Sequence, residues 1–577
     1  MRWMSIIAFY MLTFTVECAA QQACEIERIA AFLGVTSEEE LSDEEVERMT
    51  ELLRRPLKIN LLSRSRLVSS GLLTGYQAAS LIDYRQRFGD VLSFAELSLL
   101  DGFGKSYVEL LKPFVSLDTG GDINLAAPQY KGVRNELSLR GGYRYSHDAC
   151  DWQYGVKYAL DISESFIGSI GVSRNRTAKT AAPSYYTGSA LYDFRKVLAK
   201  LIIGDFNARF GQGLAAWNGS FINSLTTPSG FMKKSSGLSS VKSFTGSTAN
   251  TGIAAEYDIG HFTVSTALGL PGIKSIQQSP EKLKIMPLAN LRWWNKMGVV
   301  GFTTICETPL IRDQVTQIKS SADAAICLRG VNLFGETAYQ WVDKQVQFVL
   351  GTDFSPNESM RLAALAGWTQ GKQWQTAISG ELTSGKQRQH KGTFALETLY
   401  YLVPKDKSAS HSVQLKSQLR WEWKATDYLT LRMRATDRYR TWGLPHRTEM
   451  RFETLSPVGI WSFDSRFIAL KSRYHALLYH IDASCRSSNL TAHLRVGIFK
   501  IDHWDDRIYV YEYDAPGTFN VPAYYGRGVW TSAVLSYKVQ RFMRLYLRGS
   551  YIAYPFMEVE KKKPGRAELK LQSVFKF

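Results

Sequence analysis

Long apolar segments are almost absent from this chain of 577 residues. Beyond residue 20, no stretch approaches the roughly 18 consecutive apolar residues of a membrane-spanning helix, which excludes a helical membrane protein. The amino terminus differs, because Arg2 precedes a mostly apolar run from Trp3 to Val16 and small residues at Cys18-Ala19-Ala20. This pattern predicts a signal peptide, residues 1–20, that is cleaved after Ala20.

Cysteine is also scarce. Six are present, and cleavage would leave five that are scattered and lack Cys-x-x-Cys spacing, which argues against a zinc site and a dense disulfide framework. Cys306 and Cys327 fall on neighbouring predicted strands and could pair, but apolar wall positions are the simpler interpretation. No Ser/His/Asp, Cys/His or metal-ligand constellation stands out, and Asp502–Asp506 is best interpreted as a polar loop. We therefore predict no catalytic residue, metal or cofactor, with an outer-membrane enzyme as an alternative.

Charge is unevenly distributed along the chain. Residues 21–118 carry 11 Lys/Arg and 16 Asp/Glu, a net charge of −5, whereas residues 119–577 carry 58 and 36, a net charge of +22. Two segments of opposite sign predict two domains with different partners.

The acidic segment contains a predicted helix. Ser42-Asp43-Glu44-Glu45 has the form of a capping box, in which Ser42 accepts from an early backbone N–H and Glu45 reaches back. The helix should end at Arg54–Arg55, because Pro56 disfavours helix in the residue before it. We interpret the acidic run from Glu38 to Glu51 as a solvated helix face; a docking surface for a basic partner is the alternative.

Two helical hairpins are predicted to follow this helix. The first runs from Leu61–Val68 through Ser69-Ser70-Gly71 into Tyr76–Arg85, and the second from Phe94–Leu100 through a turn into Lys105–Leu111. Residues 58–117 resemble the tandem helix-hairpin-helix domain of competence-type DNA-binding proteins. The resemblance is carried by Ile59-Asn60, Ile82-Asp83-Tyr84-Arg85, Gly89, Phe94-x-x-Leu97 and Gly102-Phe103-Gly104.

The second hairpin has the residues of a phosphate site. Two glycines permit a tight turn, and the free N–H groups at the start of the next helix suit a phosphate oxygen. Gly102, Gly104, Lys105 and Ser106 would form such a site, which makes DNA a candidate partner. In the first hairpin the corresponding glycines are replaced by Leu72 and Thr74. Residues 56–118 hold seven basic and six acidic side chains, a weak footprint for a nucleic-acid binder.

The remaining segment, residues 119–577, alternates apolar and polar residues over stretches of about ten. Such alternation, separated by turn-forming residues, is typical of strands in a membrane barrel. Ten residues match the tilted crossing of a hydrocarbon layer, whereas strands of soluble sandwiches are usually shorter. The clearest stretches are Glu136–Tyr145, Trp152–Asp161, Val413–Lys424, Leu429–Arg438, Leu490–Ile498 and Arg544–Ala553.

The chain therefore predicts a mainly β fold, a large antiparallel transmembrane β-barrel preceded by a small all-α domain. At roughly 20 residues per strand and connection, the segment gives about 20–24 strands, an even number. Leu569, Leu571, Phe575 and the final Phe577 alternate in the manner of a terminal strand that barrel assembly machinery recognises. External loops are expected at Asn175–Pro183, Asn218–Asn250 and Ala515–Gly528; a plug formed by Asn218–Asn250 is the alternative.

The whole arrangement resembles a group of outer-membrane barrel proteins from the Bacteroidota that carry amino-terminal helix-hairpin-helix units. Pro56-Leu57-Lys58-Ile59-Asn60, Gly204-Asp205-Phe206 with Arg209–Leu214, and Tyr509-x-Tyr511-Glu512 carry this resemblance. It implies the outer membrane as location, with the helical domain, residues 21–118, in the periplasm and the barrel, residues 119–577, in the lipid. It implies no activity.

Many basic residues fall on the polar faces of the predicted strands. A positive lumen would concentrate anions and repel cations, although Glu136, Asp161 and Glu422 must offset part of the charge. The basic lumen residues are Arg140, Arg144, Lys157, Lys416, Arg420, Arg432, Arg434, Arg495, Arg544 and Arg548.

Three functions are compatible with these features. The first is an outer-membrane channel or envelope assembly component whose periplasmic helical domain docks a protein partner. The second is a DNA-binding or DNA-uptake device that holds backbone phosphates at the second hairpin. The third is the outer-membrane enzyme.

Overall fold

The structure is a computed structural model that describes residues 25–118 and 132–577, apart from short internal segments. The predicted signal peptide lies outside the described residues. The internal segments left out are residues 147–148, 163–164, 177, 179, 195–196, 220–224, 245–247, 273–282, 311–314, 329, 386–388, 406–407, 443–445 and 558–563.

Residues 25–118 form a compact group of helices, the helical unit. Its helices are α1 (Glu25–Leu33), α2 (Asp43–Arg54), α3 (Arg64–Ser69), α4 (Gly75–Phe88), α5 (Phe94–Leu99) and α6 (Gly104–Leu111). Short 3-10 turns span Glu38–Glu40 and Lys112–Phe114, and strands β1 (Leu57–Lys58) and β2 (Val115–Ser116) pair in parallel. None of the described helices is both long and apolar enough to cross a lipid bilayer.

The helices begin and end close to the predicted positions. The Ser42 side chain accepts from the backbone N–H of Glu45, and α2 ends at Arg54, one residue short of Arg55. Ile29, Met49, Leu72, Leu111 and Phe114 are fully buried and join the helices into one apolar core. Both helical hairpins are present, while membership of the helix-hairpin-helix family stays a prediction.

The rest of the chain forms a closed antiparallel barrel of 24 strands, which confirms the predicted fold class and the even strand number. The last strand pairs with the first, Leu569 lying opposite Tyr143, so the sheet has no free edge. The strands are β3 (Val133–Ser146), β4 (Ala149–Ile162), β5 (Phe166–Arg174), β6 (Tyr185–Asp193), β7 (Leu198–Arg209), β9 (Asn250–Ile259), β10 (Phe262–Pro271), β11 (Lys284–Asn295), β12 (Gly298–Pro309), β13 (Gln317–Leu328), β14 (Val331–Gln340), β15 (Gln345–Asn357), β16 (Met360–Thr369), β17 (Gln373–Ser384), β18 (His390–Lys405), β19 (Ser408–Thr426), β20 (Leu429–Arg440), β21 (Arg447–Val458), β22 (Trp461–Lys471), β23 (His475–Arg486), β24 (Leu490–Ile501), β27 (Gly526–Gln540), β28 (Met543–Ala553) and β29 (Arg566–Lys576).

Three shorter strands belong to loops. Strand β8 (Gly237–Ser240) adds to the end of β7, and β25 (Ile508–Tyr509) pairs with β26 (Ala523–Tyr524). All six alternating stretches singled out in the sequence lie within barrel strands, and each strand extends a few residues beyond the prediction at one or both ends.

Alternation along each strand sorts side chains between the two faces of the barrel. On β19, Leu415, Leu419 and Trp421 are exposed on the outside, while Gln418 is buried on the inside. Strict alternation follows from the pleat of a β-strand, whose successive side chains point to opposite faces. The barrel is therefore apolar outside and polar inside.

The two ends of the barrel differ. At one end, named the turn end, β3 begins, β29 ends and most connections are tight, such as Gly260-His261 and Asp427-Tyr428. At the other, named the loop end, lie the long connections of residues 210–249 and 502–525. The turn end and the loop end thus expose different parts of the chain.

Candidate functional site

The helical unit lies inside the barrel. Helix α4 packs against β11, β12 and β13, and Trp294 and Val299 of the wall belong to the core of the unit. A Cβ atom at Gly75 would lie 2.2 Å from the Trp294 ring, so only glycine permits this approach. The Tyr76 hydroxyl donates to Asn332 Oδ1 at 3.1 Å. The sequence suggested a helical domain separate from the barrel. The unit instead packs against the barrel wall, which completes its apolar core.

The acidic residues of α2 face basic residues of the lumen. Glu44, Glu47 and Glu51 follow one another at helical spacing and share a face, which directs each carboxylate to a different part of the wall and its loops. The pairs are Arg209 Nη2–Glu44 Oε1 at 2.8 Å, Lys157 Nζ–Glu47 Oε1 at 2.6 Å and Lys242 Nζ–Glu51 Oε1 at 2.8 Å. Burial raises the pKa of Glu51, but Lys242, followed by Lys157, lowers it to about 2.

Glu39 is the central contact of this interface. Its carboxylate lies 3.1 Å from Arg451 Nη1 and 2.8 Å from Arg466 Nη1, and it accepts from the backbone N–H of Tyr511 at 3.2 Å. Burial opposes ionisation, yet the two guanidinium groups hold the pKa of Glu39 well below its usual value. The acidic run is thus a docking surface and not the solvated face that the sequence favoured, and its basic partner is the barrel of the same chain.

A second anchor holds the unit at the turn end. The Ser65 hydroxyl donates to Glu256 Oε2 at 2.5 Å, and the same carboxylate lies 3.0 Å from Lys200 Nζ. Arg64 Nη2 lies 3.0 Å from Asp258 Oδ1. Lys200 and Glu256 are almost fully buried, so this anchor combines a buried ion pair with hydrogen bonds that satisfy it.

The connection of residues 210–249 folds into the lumen, which corrects the expectation of an exposed loop at Asn218–Asn250. Phe210, Phe231 and Leu238 are buried within the barrel. The Glu336 carboxylate of β14 accepts from the backbone N–H groups of Gln212 at 2.6 Å, Leu214 at 3.0 Å and Ala215 at 3.3 Å. Gly211 and Gly213, with φ of +56° and +85°, shape this turn around the carboxylate.

The connection of residues 502–525 also turns inward, in contrast to the external loop expected at Ala515–Gly528. Ile508 and Tyr524 pack against Phe499 and Trp530 of the wall. Glu512 lies 2.5 Å from Arg548 Nη2, where both side chains are buried. The expected loop was also too long, because Gly526 already begins β27.

Most of the basic residues predicted for the lumen lie on its wall, and the majority contact acids there. Arg140 stacks on Phe244 at 3.9 Å, while Lys416 and Arg544 are half-buried on the same face without a carboxylate within 4.0 Å among the described residues. The paired ones are Arg144 with Glu568, Lys157 with Glu47, Arg420 with Glu422, Arg432 with Glu27 and Glu422, Arg434 with Glu449, Arg495 with Asp482, and Arg548 with Glu512.

The residues of the predicted phosphate site lie away from the lumen contacts. Gly104, Lys105 and Ser106 are exposed, and Gly102 and Gly104 have φ of +83° and +67°. The first hairpin is used differently, because Leu72 is fully buried and Thr74 caps α4 in a capping box with Gln77. Only the second hairpin therefore keeps an open turn.

No family model and no curated protein sequence matches the chain. Among solved structures it is similar to the P pilus usher PapC translocation pore, with 8% identity, a TM-score of 0.38 and coverage of 77% of this chain and 99% of that one. It is also similar to the ferric enterobactin receptor PfeA from Pseudomonas aeruginosa (8%, 0.39, 77% and 81%) and the copper transporter OprC (7%, 0.38, 77% and 80%). At these scores the matches give no guide to function.

The chain's own geometry describes a lumen filled from both ends. The helical unit enters from the turn end and the two inward loops enter from the loop end. The loop of residues 502–525 meets the unit where Tyr511 contacts Glu39. A pocket of about 40 Å³ remains between Glu27, Glu38 and the wall, enough for a few water molecules. Among the described residues, no group of three or more His, Cys, Asp or Glu side chains could hold a metal ion.

The sequence missed the residues that hold the lumen contents in place. Glu256 and Glu336 are isolated carboxylates in the sequence, with no motif around them, whereas Glu39 belongs to the acidic run for which docking was the alternative. The acidic run from Glu38 to Glu51 and the opposite net charges of residues 21–118 and 119–577 were the signals that could have indicated contact between the two segments. The four described cysteines are free thiols, so Cys306 and Cys327 do not pair.

Proposed function

We propose that this protein is an outer-membrane channel whose lumen is closed by its own helical unit. The apolar exterior of a closed barrel is suited to lipid, since every backbone group of the wall finds a partner within the sheet. Barrels of 16–18 strands already enclose an aqueous channel and larger ones carry a plug, so about 24 strands leave room for one. The proposal rests chiefly on the ion pairs between Glu38–Glu51 and the lumen wall.

The turn end is assigned to the periplasm in this proposal. Outer-membrane barrels have short periplasmic turns and longer extracellular loops, and the chain termini of this barrel meet at the turn end. The final strand, ending at Phe577, is suited to recognition by barrel assembly machinery. The outer face of the helical unit then points into the periplasm, as the Bacteroidota resemblance implied, where a protein partner could dock.

The chemistry of the closure suits a plug that can be displaced. Its deepest contacts are ion pairs and hydrogen bonds, which a partner could replace one at a time with charges of its own. Each pair is stabilising only while its partner stays in place, because a buried charge left alone is costly. A partner that pulls on the exposed hairpins could therefore break the pairs in succession.

Conductance in planar bilayers tests the proposal with the full chain. The variant Glu38→Gln/Glu39→Gln/Glu44→Gln/Glu47→Gln should open stable pores far more often than the unmodified protein. Glu109→Gln, on the exposed side of the helical unit, is the matched control and should stay closed. Pores of equal frequency in all three proteins would overturn the plug proposal.

DNA binding remains the second candidate, supported by the open turn at Gly104–Ser106. Several basic side chains nearby are already paired, Arg64 with Asp258, Arg87 with Asp83 and Lys112 with Glu109. Weak, salt-sensitive binding of duplex DNA to the whole protein, lost in Lys105→Glu but kept in Lys538→Glu, would support it. An absence of binding at about 50 mM salt would remove it.

A further inference from the structure

A row of basic side chains crosses the lumen wall near the loop end. In the registers of β19, β20 and β21, Lys416 lies directly opposite Arg438, and Arg438 directly opposite Arg447. Arg440 lies two residues further along β20 and donates to Gln414 Oε1 at 2.7 Å. Lys416, Arg438, Arg440 and Arg447 are named the basic ladder below. All four are half-buried.

Like charges placed opposite each other across strands are destabilising unless something neutralises them. The acids that face the ladder are Glu397, opposite Lys416, and Glu449, which lies 3.4 Å from Arg447. Glu449 is shared, because its other oxygen lies 3.1 Å from Arg434 and 3.7 Å from Arg451. The four cations of the basic ladder therefore face two carboxylates, Glu397 and Glu449, and Glu449 also pairs with other arginines.

Arg438 is the least satisfied member of the ladder. Its Nε is buried and finds no hydrogen-bond acceptor among the described residues. A guanidinium group is a rigid set of donors that matches phosphate and carboxylate oxygens. A donor held in this way beside three other cations is suited to an anion that comes from outside the chain.

The neighbouring rows of the same wall provide the contrast. Arg432, Arg451 and Arg466 lie closer to the turn end, and the helical unit supplies their partners, Glu27, Glu38 and Glu39. The unit therefore neutralises the basic wall on its own side only. The basic ladder lies nearer the loop end, where Arg447 donates to the backbone carbonyl oxygens of Asp505 at 3.5 Å and Arg507 at 3.4 Å.

We infer that the basic ladder binds a soluble solute carrying adjacent phosphate groups, and that this solute is the ligand of the proposed channel. Two or more neighbouring phosphates would span the row and place an oxygen against each cation, which a single monovalent anion cannot do. The ladder faces the lumen and not the lipid, which favours a dissolved solute over a lipid headgroup. The role of this solute as the ligand of a channel rests on the proposed function, whereas its binding to the ladder can be tested independently.

Calorimetric titration of the detergent-solubilised full chain with inorganic diphosphate tests this site. Arg438→Gln/Arg440→Gln should weaken binding by about tenfold or more, since charge-assisted hydrogen bonds are lost. Arg473→Gln removes the same type of charge from an exposed turn at the loop end and should leave the affinity unchanged. Glu397→Gln should tighten binding, because it removes an acid that faces the ladder.

The outcomes separate this site from the channel proposal. Equal diphosphate affinity in the ladder variant and in Arg473→Gln, or no binding to the unmodified protein, would overturn the inference while leaving the conductance result untouched. Binding that follows the predicted order in a protein that never forms pores would instead overturn the channel. Acetate, titrated in parallel, should bind at least about tenfold more weakly than diphosphate.

Discussion

Single carboxylates decide how the lumen is occupied. Glu39 joins the helical unit, the barrel wall and the inward loop of residues 502–525, because it contacts Arg451, Arg466 and the backbone of Tyr511. Glu256 binds α3 through the Ser65 hydroxyl, and Glu336 binds the inward connection through the backbone N–H of Gln212. Several donors surround each of these carboxylates, so the loss of one carboxylate leaves several cations or N–H groups unpaired.

Lys234 has the opposite character. Its ammonium group lies 3.8 Å from the centre of the Phe32 ring and 5.0 Å from that of Tyr107, at the contact between the inward loop and the helical unit. Burial, followed by repulsion from Arg361 and Arg48, lowers the pKa of Lys234 to about 7. Here a cation has aromatic rings rather than a carboxylate as its neighbours.

The pH dependence of stability should report this lysine. The unfolded chain binds the Lys234 proton more tightly than the folded chain, so stability should be lowest below about pH 7 and rise toward pH 10.5. At pH 6, about one unit below the folded pKa of Lys234, Lys234→Met should melt at a higher temperature than the unmodified protein. Its stability should still rise slightly with pH, because burial also lowers the pKa of Lys233, to about 8. Thermal melting in detergent measures this, with Lys105→Met as control; a pH profile identical to that of the unmodified protein would contradict it.

At the scale of elements, the segment Gly211–Ala215 is a short loop that Glu336 holds to the wall. Strand β8 extends the sheet from β7, and the turn at Gly211–Ala215 crosses to Glu336 on β14. This short loop can be released without disturbing the hydrogen bonds between the barrel strands. Its order therefore depends directly on the Glu336 side chain, whereas the rest of residues 210–249 has further contacts such as Lys242 with Glu51.

Glu336→Gln should loosen that loop. The neutral amide loses the charge that holds three backbone N–H groups, so exchange of the Gln212, Leu214 and Ala215 amides should become about ten- to a hundredfold faster. Hydrogen exchange followed by mass spectrometry measures the effect, and amides of β14 should stay protected. Glu381→Gln, a wall carboxylate paired with Lys391, provides the control; equal exchange in both variants would show that Glu336 does not hold the loop.

At the scale of the whole molecule, acidic and basic residues that are concentrated in different segments of the chain lie next to each other in the fold. The acidic helical unit lies within the basic barrel, so the net charge of −5 in residues 21–118 offsets part of the net charge of +22 in residues 119–577. The outside carries the apolar face of every strand. This arrangement makes the exterior suited to lipid while the interior is ionic.

The purified cell envelope should therefore retain the protein. We expect it to sediment with the membranes, to stay there in about 1 M salt and to be released by detergent, because apolar burial is not screened by salt. Immunoblotting of the fractions measures this. Protein that stays in the supernatant after lysis without detergent would contradict a lipid-facing barrel.

The sequence by itself determined the barrel and the helices. Alternation in stretches such as Glu136–Tyr145 sets which face of a strand meets lipid, and the Ser42 cap with Pro56 sets the limits of α2, since both signals act over a few neighbouring residues. It could not place α2 in the lumen, because a carboxylate shows the same pattern whether it faces water or an arginine. The pairing of Glu39 with Arg451, more than 400 residues away, was decided only by the tertiary structure, through closure of the barrel around the helical unit.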